Sequence, residues 1–258
     1  MTRTDIIDAV RSAVEGHSWA LACYEAGSAA FGRADEWSDV DLCVAVEDGR
    51  VEDGFTAIEG ALETLAGIES RWVVNPASHL KPQRYYRLRS ADPWLIVDVG
   101  VFERSTPPAE RYVERHRHGT PRVLFDRIGF ASDVPRDADS WRSRLRRRHD
   151  DLRARFEFLG ALAVKSARRG EAAEAVVFYQ AFVLRPLVEM LRMRHDPWRH
   201  DYDVRYLRFD LPDDVRRRVW DLWFLRDLDD LVEKHARAAE WLRDELRTLD
   251  VDRIPLPA

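Results

Sequence analysis

Ala26-Gly27-Ser28-Ala29-Ala30-Phe31-Gly32-Arg33-Ala34-Asp35-Glu36-Trp37-Ser38-Asp39-Val40-Asp41-Leu42 is the stretch that decides how this chain folds. The apolar run Ala20 to Ala26 leads into the Gly27-Ser28 pair and reads as a strand ending in a tight turn. A short helix-compatible piece follows, and a second apolar run, Val40 to Val46, opens with an aspartate on each side of its first residue. Gly27 allows the backbone to approach a phosphate with no Cβ in the way, and the Ser28 hydroxyl and nearby N–H groups can donate to phosphate oxygens at a helix N-terminus. Asp39 and Asp41 stand two apart, so in a strand they project to one face, where both carboxylates can grip a hard divalent cation.

Working outward, Asp98 sits inside Leu95-Ile96-Val97-Asp98-Val99-Gly100-Val101. A lone ionised group in so apolar a strand is costly unless it is paired or ligates a metal. If this strand lies beside the one carrying Asp41, three carboxylates converge, as in-line displacement at a nucleotide α-phosphate requires.

The rest of the first half alternates the two periodicities. Asp5 to Glu15 and Val51 to Ala66 carry helical spacing, and Ser70 to Asn75 gives a further strand. Arg84 to Arg89 and Trp94 to Phe102 flank the turn formers Ser90-Ala91-Asp92-Pro93 and read as a hairpin. Residues 1–130 are therefore assigned to an α+β domain, a mixed sheet flanked by helices. Between Ala131 and Ser140 the chain turns polar around Pro135 and loses apolar periodicity, which marks a boundary. Beyond it, Trp141 to Arg169, Ala172 to Arg194, Asp213 to Leu225 and Leu228 to Leu246 all carry helical spacing, so 140–258 is assigned to an all-α helical bundle.

Composition narrows the partners. A net charge of −5 argues against a dedicated nucleic-acid binder, whose affinity comes from clustered cations meeting phosphates, and favours a small-molecule substrate. The arginines at 142, 144, 146, 147 and 148 read as a solvated helix face partnered by residues such as Asp150 and Asp151. Cys23 and Cys43, the two cysteines, lie in strand-like runs and read as small buried hydrophobes, which fits a reducing cytoplasm. The N-terminal sixteen residues form an amphipathic pattern without a signal-peptide core, and no run approaches the roughly 18 apolar residues of a membrane span.

Gly-Ser, ten intervening residues, Asp-Val-Asp and a later strand aspartate resemble the signature of the polymerase-β-type nucleotidyltransferase superfamily. Within it the chain most resembles the bacterial antibiotic nucleotidyltransferases, which act on aminoglycosides or lincosamides, and their uncharacterised relatives. Those enzymes pair such a catalytic domain with a C-terminal helical one. The catalytic resemblance spans residues 20 to 102, and Leu184-Arg185-Pro186-Leu187, Arg205-Tyr206-Leu207 and Asp210-Leu211-Pro212 add helical-half features. By this resemblance Gly27 and Ser28 hold the terminal phosphates of ATP or another NTP, Asp39 and Asp41 bind two Mg²⁺ ions, and Asp98 binds the catalytic ion and takes the acceptor's proton. The implied reaction moves a nucleoside monophosphate, AMP from ATP, to a hydroxyl of a small acceptor and releases pyrophosphate.

Other residues carry weaker signals. Lys165 sits where related enzymes reach a phosphate with a lysine, or it is an ordinary snorkelling surface lysine. Arg33 either approaches phosphate from the motif loop or stands exposed. The spacing of His195 and His200 with Asp196, Asp201 and Asp203 matches no zinc pattern. Phe178, Tyr179 and Phe182 read as bundle core, and Glu189 as a contact to an acceptor or a salt bridge with Arg185 or Arg192. The acceptor is expected in the cleft between the domains, since pockets commonly form at such interfaces. Two other functions remain in view: a nucleotidyltransferase acting on a protein or RNA, and a non-catalytic nucleotide-binding regulator.

Overall fold

Ile6, Ile7, Val10 and Val14 share one stripe of the first helix, α1 (Arg3–Glu15), and all four are buried. A capping box fixes its start: the Thr2 hydroxyl accepts from the Asp5 amide while the Asp5 carboxylate accepts from the Thr2 amide. Strand β1 (Ala20–Glu25) follows, then a four-residue helix α2 (Gly27–Ala30), and strand β2 (Val40–Val46) returns antiparallel to β1. Helix α3 (Val51–Ala66) leads to β3 (Ile68–Val73), β4 (Gln83–Leu88) and β5 (Val97–Glu103), and a short helix α4 (Arg115–His118) precedes β6 (Arg122–Asp126). The computed structural model describes residues 1–75 and 82–256.

The six strands form one mixed sheet in the order β3-β4-β5-β2-β1-β6. All neighbours are antiparallel except β2 and β5, which run parallel at its centre. Alternation then decides where the carboxylates go. Val40, Leu42, Val44 and Val46 of β2, with Val97, Val99 and Val101 of β5, pack in one cluster with the apolar stripes of α1 and α3. Cys43, Ala45 and Phe102 belong to a different cluster with Val113 and Phe130. Asp41 and Asp98 are in phase with this second set, so they lie on the face turned away from α1 and α3.

The chain divides into two units, Met1–Pro135 and Arg136–Ala258. The second is all helical: α5 (Ala138–Leu159), α6 (Leu162–Arg168), α7 (Ala172–Tyr179), α8 (Arg185–His195), α9 (Leu207–Asp210), α10 (Asp213–Trp223) and α11 (Leu228–Thr248). Its core is built on Trp141, Leu145, Tyr179, Leu187, Leu191 and Leu242. Two expectations change. The helix anticipated from Trp141 to Arg169 breaks after Leu159, where a Cβ on Gly160 would collide with the Phe156 ring and carbonyl. The helix anticipated from Ala172 to Arg194 is interrupted by one wider π turn, Gln180–Leu184. Among the described residues no helix is long and apolar enough to cross a membrane.

Candidate active site

Asp41 and Asp98 are register partners across the parallel β2·β5 pair, each the second residue of its strand. Level residues on adjacent strands project to the same face, so these two carboxylates are neighbours. Burial pushes the Asp41 carboxyl up to about 6, the charges of Asp98 and Asp39 push the same way, and Arg3 opposes them. Asp39 precedes β2 and turns Oδ1 to the Ile96 amide at 3.2 Å, at the step between the parallel strands.

The Gly27-Ser28 turn lies directly against this pair. The Ala26 amide donates to the Asp41 carbonyl at 2.9 Å, which brings the end of β1 beside the start of β2. Gly27 has φ +56°, and a Cβ there would overlap the Asp41 carboxylate. Glycine is thus required twice, by conformation and by space. The Ser28 hydroxyl is buried and has no hydrogen-bond partner. Native structures rarely leave such a group unsatisfied, because its desolvation goes uncompensated, so an orphaned hydroxyl beside two carboxylates asks for a ligand.

Three residues the motif did not single out support this arrangement. Gln83 donates from Nε2 to Asp98 Oδ1 at 2.5 Å and to the Tyr85 hydroxyl at 2.9 Å, while its own Oε1 is buried without a partner. Arg3 donates through Nε and Nη2 to the Asp39 carbonyl and reaches the buried Glu25 at 2.6 Å. Glu25 also takes Arg122 Nε at 2.9 Å, so α1, β1, β6 and the start of β2 meet at one buried carboxylate. Only the hairpin register offered a hint in sequence, since Tyr85 pairs with Asp98 and Gln83 lies two residues away.

Arg33 is half-buried, with its guanidinium 4.9 Å from the Phe31 ring centroid and its amide on the Ser28 carbonyl. Lys165 is exposed on α6 in the second unit. Glu189 pairs with neither Arg185 nor Arg192. It takes Arg148 through two 2.8 Å bonds, Arg185 lies 3.4 Å from Asp203, and Arg192 is fully buried against Asp210. The arginine run is in part the solvated face expected, with Arg144, Arg146 and Arg147 exposed and Arg148 on Asp151, but its other partners lie farther along the chain. Arg142 donates to the carbonyls of Val251, Asp252 and Ile254, Arg144 meets Asp201, and Arg146 meets Asp252.

Whether these residues suit magnesium turns on donor chemistry. Among the described residues no group of three or more His, Cys, Asp or Glu side chains is assembled to hold an ion. Magnesium does not need such a cage: it is commonly bound through one or two carboxylates, several waters and a substrate's phosphates. Asp41 and Asp98 are hard oxygen donors whose mutual repulsion a cation relieves, and Asp39 keeps a second oxygen beyond the one given to Ile96. The residues fit such an ion.

The chain is similar to two antibiotic adenyltransferases. The first is an aminoglycoside 6-adenyltransferase from Bacillus subtilis, 12% identical, matched over 96% of this chain and 89% of that one with a TM-score of 0.35. The second is a spectinomycin adenyltransferase from Enterococcus faecialis, solved with ATP and spectinomycin, also 12% identical, matched over 95% of this chain and 98% of that one with a TM-score of 0.34. No family model matches the sequence, and no curated protein matches it.

Proposed function

We propose that this protein is a nucleotidyltransferase that moves a nucleoside monophosphate, AMP from ATP, to a hydroxyl of a small acceptor and releases pyrophosphate. The observation that carries this reading is the meeting of the level pair Asp41 and Asp98 with a glycine turn bearing an orphaned buried hydroxyl. In this reading Gly27 and Ser28 seat the triphosphate, with Ser28 donating to a phosphate oxygen that satisfies its hydroxyl. Asp39, Asp41 and Asp98 hold magnesium, which supplies charge neutralisation and orientation along the line of displacement. Gln83 keeps the Asp98 carboxylate oriented through its 2.5 Å bond, and Arg3 fixes the backbone at Asp39. Asp98 is assigned as the base for the acceptor proton, as the resemblance of the spaced motif implies.

Arg33 and Lys165 are assigned to nucleotide phosphate as secondary contacts. The first acceptors to test are aminoglycoside and lincosamide antibiotics, the class that the resemblance to antibiotic nucleotidyltransferases implies. The deciding experiment measures pyrophosphate release with ATP, GTP, CTP and UTP, with and without Mg²⁺, against a panel of hydroxylated small molecules. Acceptor-dependent release that needs Mg²⁺ and vanishes in Asp41→Asn supports the reading. Tight nucleotide binding without release under any pairing would instead favour a regulatory nucleotide binder.

A further inference from the structure

The helical unit contains a cavity of about 680 Å³ walled by α5, the π turn, α8 and the loop after α8. Five arginines and four carboxylates line it, and every carboxylate already has a cation. Glu189 and Asp151 both take Arg148, Asp201 lies 3.3 Å from Arg144, and Asp203 lies 3.4 Å from Arg185. Arg147 and Arg155 are left over: both are exposed, and neither makes an ion pair among the described residues. The uncompensated charge of this cavity is therefore positive.

Independent features of the same walls point to a ligand. His200 lines the cavity, is 2% exposed, and rests Nδ1 against Glu189 at 3.1 Å, yet its Nε2 is buried with no partner. Asp203, whose carboxylate is held by Arg185, has the left-handed conformation at φ +51°. The π turn supplies Ala181 to the wall and precedes Arg185 at the start of α8. A π turn and a left-handed non-glycine residue are both locally unfavourable backbone, retained where surrounding structure imposes them and frequent at binding sites.

We propose that this cavity binds the phosphate groups of a small phosphorylated molecule, a diphosphate in preference to a monophosphate, with Arg147 and Arg155 as the engaging cations. A guanidinium presents donors in a planar fork that matches phosphate oxygens two at a time. Eight residues of helix separate the two Cα atoms by about 12 Å, a span that two arginine side chains close around a group longer than one phosphate. The internally paired arginines of the wall add a positive rim while staying anchored. This site shares no residue with the carboxylate pair of the first unit and does not depend on the reaction assigned to it.

The test uses the full chain in EDTA at low ionic strength, titrated calorimetrically with inorganic pyrophosphate. Binding should weaken at least tenfold in the double variant Arg147→Ala with Arg155→Ala and less in the corresponding double Lys variant. It should stay within twofold of wild type in Arg168→Ala, which removes an exposed arginine of α6 that does not line the cavity. Both arginines are exposed, and unchanged thermal melting of the variants confirms that the fold is kept. No pyrophosphate binding to the wild type, an undiminished affinity in the double Ala variant, or an equal loss in Arg168→Ala overturns the proposal. In a second arm, ADP binding more tightly than pyrophosphate, with the gain lost in the double variant, identifies a nucleotide as occupant, whereas equal affinities identify the phosphate groups alone.

Discussion

Asp41 is ionised at a cost to the fold. Its carboxyl is raised to about 6 by burial first and by Asp98 and Asp39 second, so the folded state holds this proton more tightly than the unfolded chain does. The stability linked to that proton is fully present below the ordinary carboxylate range and is lost as pH rises through about 6, to a ceiling of about 3 kcal/mol. Asp41→Asn removes the charge while keeping the shape. Without divalent cation at pH 7.5 it should therefore melt above the wild type, and on the proposed function it should abolish turnover. Mg²⁺ should raise the melting temperature of the wild type and leave that of the variant nearly unchanged. A variant that melts lower than wild type in EDTA would remove the like-charge account. The neighbouring turn makes the opposite pair of expectations. Gly27→Ala forces a left-handed alanine into the Asp41 carboxylate and should lose on the order of 1–3 kcal/mol in urea unfolding. Ser28→Ala deletes a hydroxyl with no partner, so it should leave stability intact while weakening ATP binding by about 1 kcal/mol, roughly fivefold. A stability loss from Ser28→Ala comparable to that from Gly27→Ala contradicts the orphaned-hydroxyl reading. These positions were legible in sequence because the chemistry of each is local: a glycine at a turn, a hydroxyl after it, carboxylates inside apolar runs. Gln83, Arg3 and Glu25 were not, since Gln83 lies 15 residues from Asp98, Arg3 22 from Glu25 and 36 from Asp39, and Glu25 97 from Arg122, pairs that no local pattern announces.

The elements that sequence delivered are those with a clean period. Val40–Val46 and Val51–Ala66 appear at the bounds their spacing implied, because one face of each is wholly committed to the core. Strand β6 went unread. Arg122-Val123-Leu124-Phe125-Asp126 is an edge strand, largely exposed or half-buried, so its five residues show no alternation and depend on pairing with β1. The π turn was equally hidden, since one extra residue in a helical turn leaves the apolar spacing of Ala172–His195 almost unchanged. The pairing of α5 with α8 was missed for another reason: nearby acids offered Arg148 local partners, and while it keeps Asp151 the bundle also carries it to Glu189, 41 residues away. Burial works to raise the Glu189 carboxyl, but hydrogen bonds from Arg148 and His200 outweigh it and hold the carboxyl below its ordinary value. A depressed folded-state pKa contributes stability above the unfolded value near 4.5 that is lost as pH falls through the folded one. Glu189→Gln should therefore lower the melting temperature at pH 7, and its gap from wild type should shrink as the pH is taken below 4. A gap that is constant with pH assigns the loss to shape and not to charge.

Across the whole molecule, sequence composition and the polar stretch around Pro135 pointed to an α+β part followed by an all-helical one, and both architectures are present. Each unit has its own buried cluster: the valines of the central strands with α1 and α3 in the first, and Trp141, Tyr179, Leu187 and Leu242 with their neighbours in the second. A segment with its own core has the means to fold alone. Gly27, Ser28, Asp39, Asp41 and Asp98 all fall in residues 1–135, whereas the arginine-lined cavity falls wholly in 136–258. Dividing the chain after Pro135 should then divide the binding properties. Fragment 1–135 should melt cooperatively and gain stability from Mg²⁺ with ATP, and Asp41→Asn within the fragment should remove that gain. Fragment 136–258 should be indifferent to Mg²⁺ and keep pyrophosphate binding that depends on Arg147 and Arg155. Neither fragment alone should carry acceptor-dependent turnover, because the family that the sequence resembles pairs the catalytic domain with a helical one. Full turnover in the first fragment by itself would mean that all substrate contacts lie within its 135 residues.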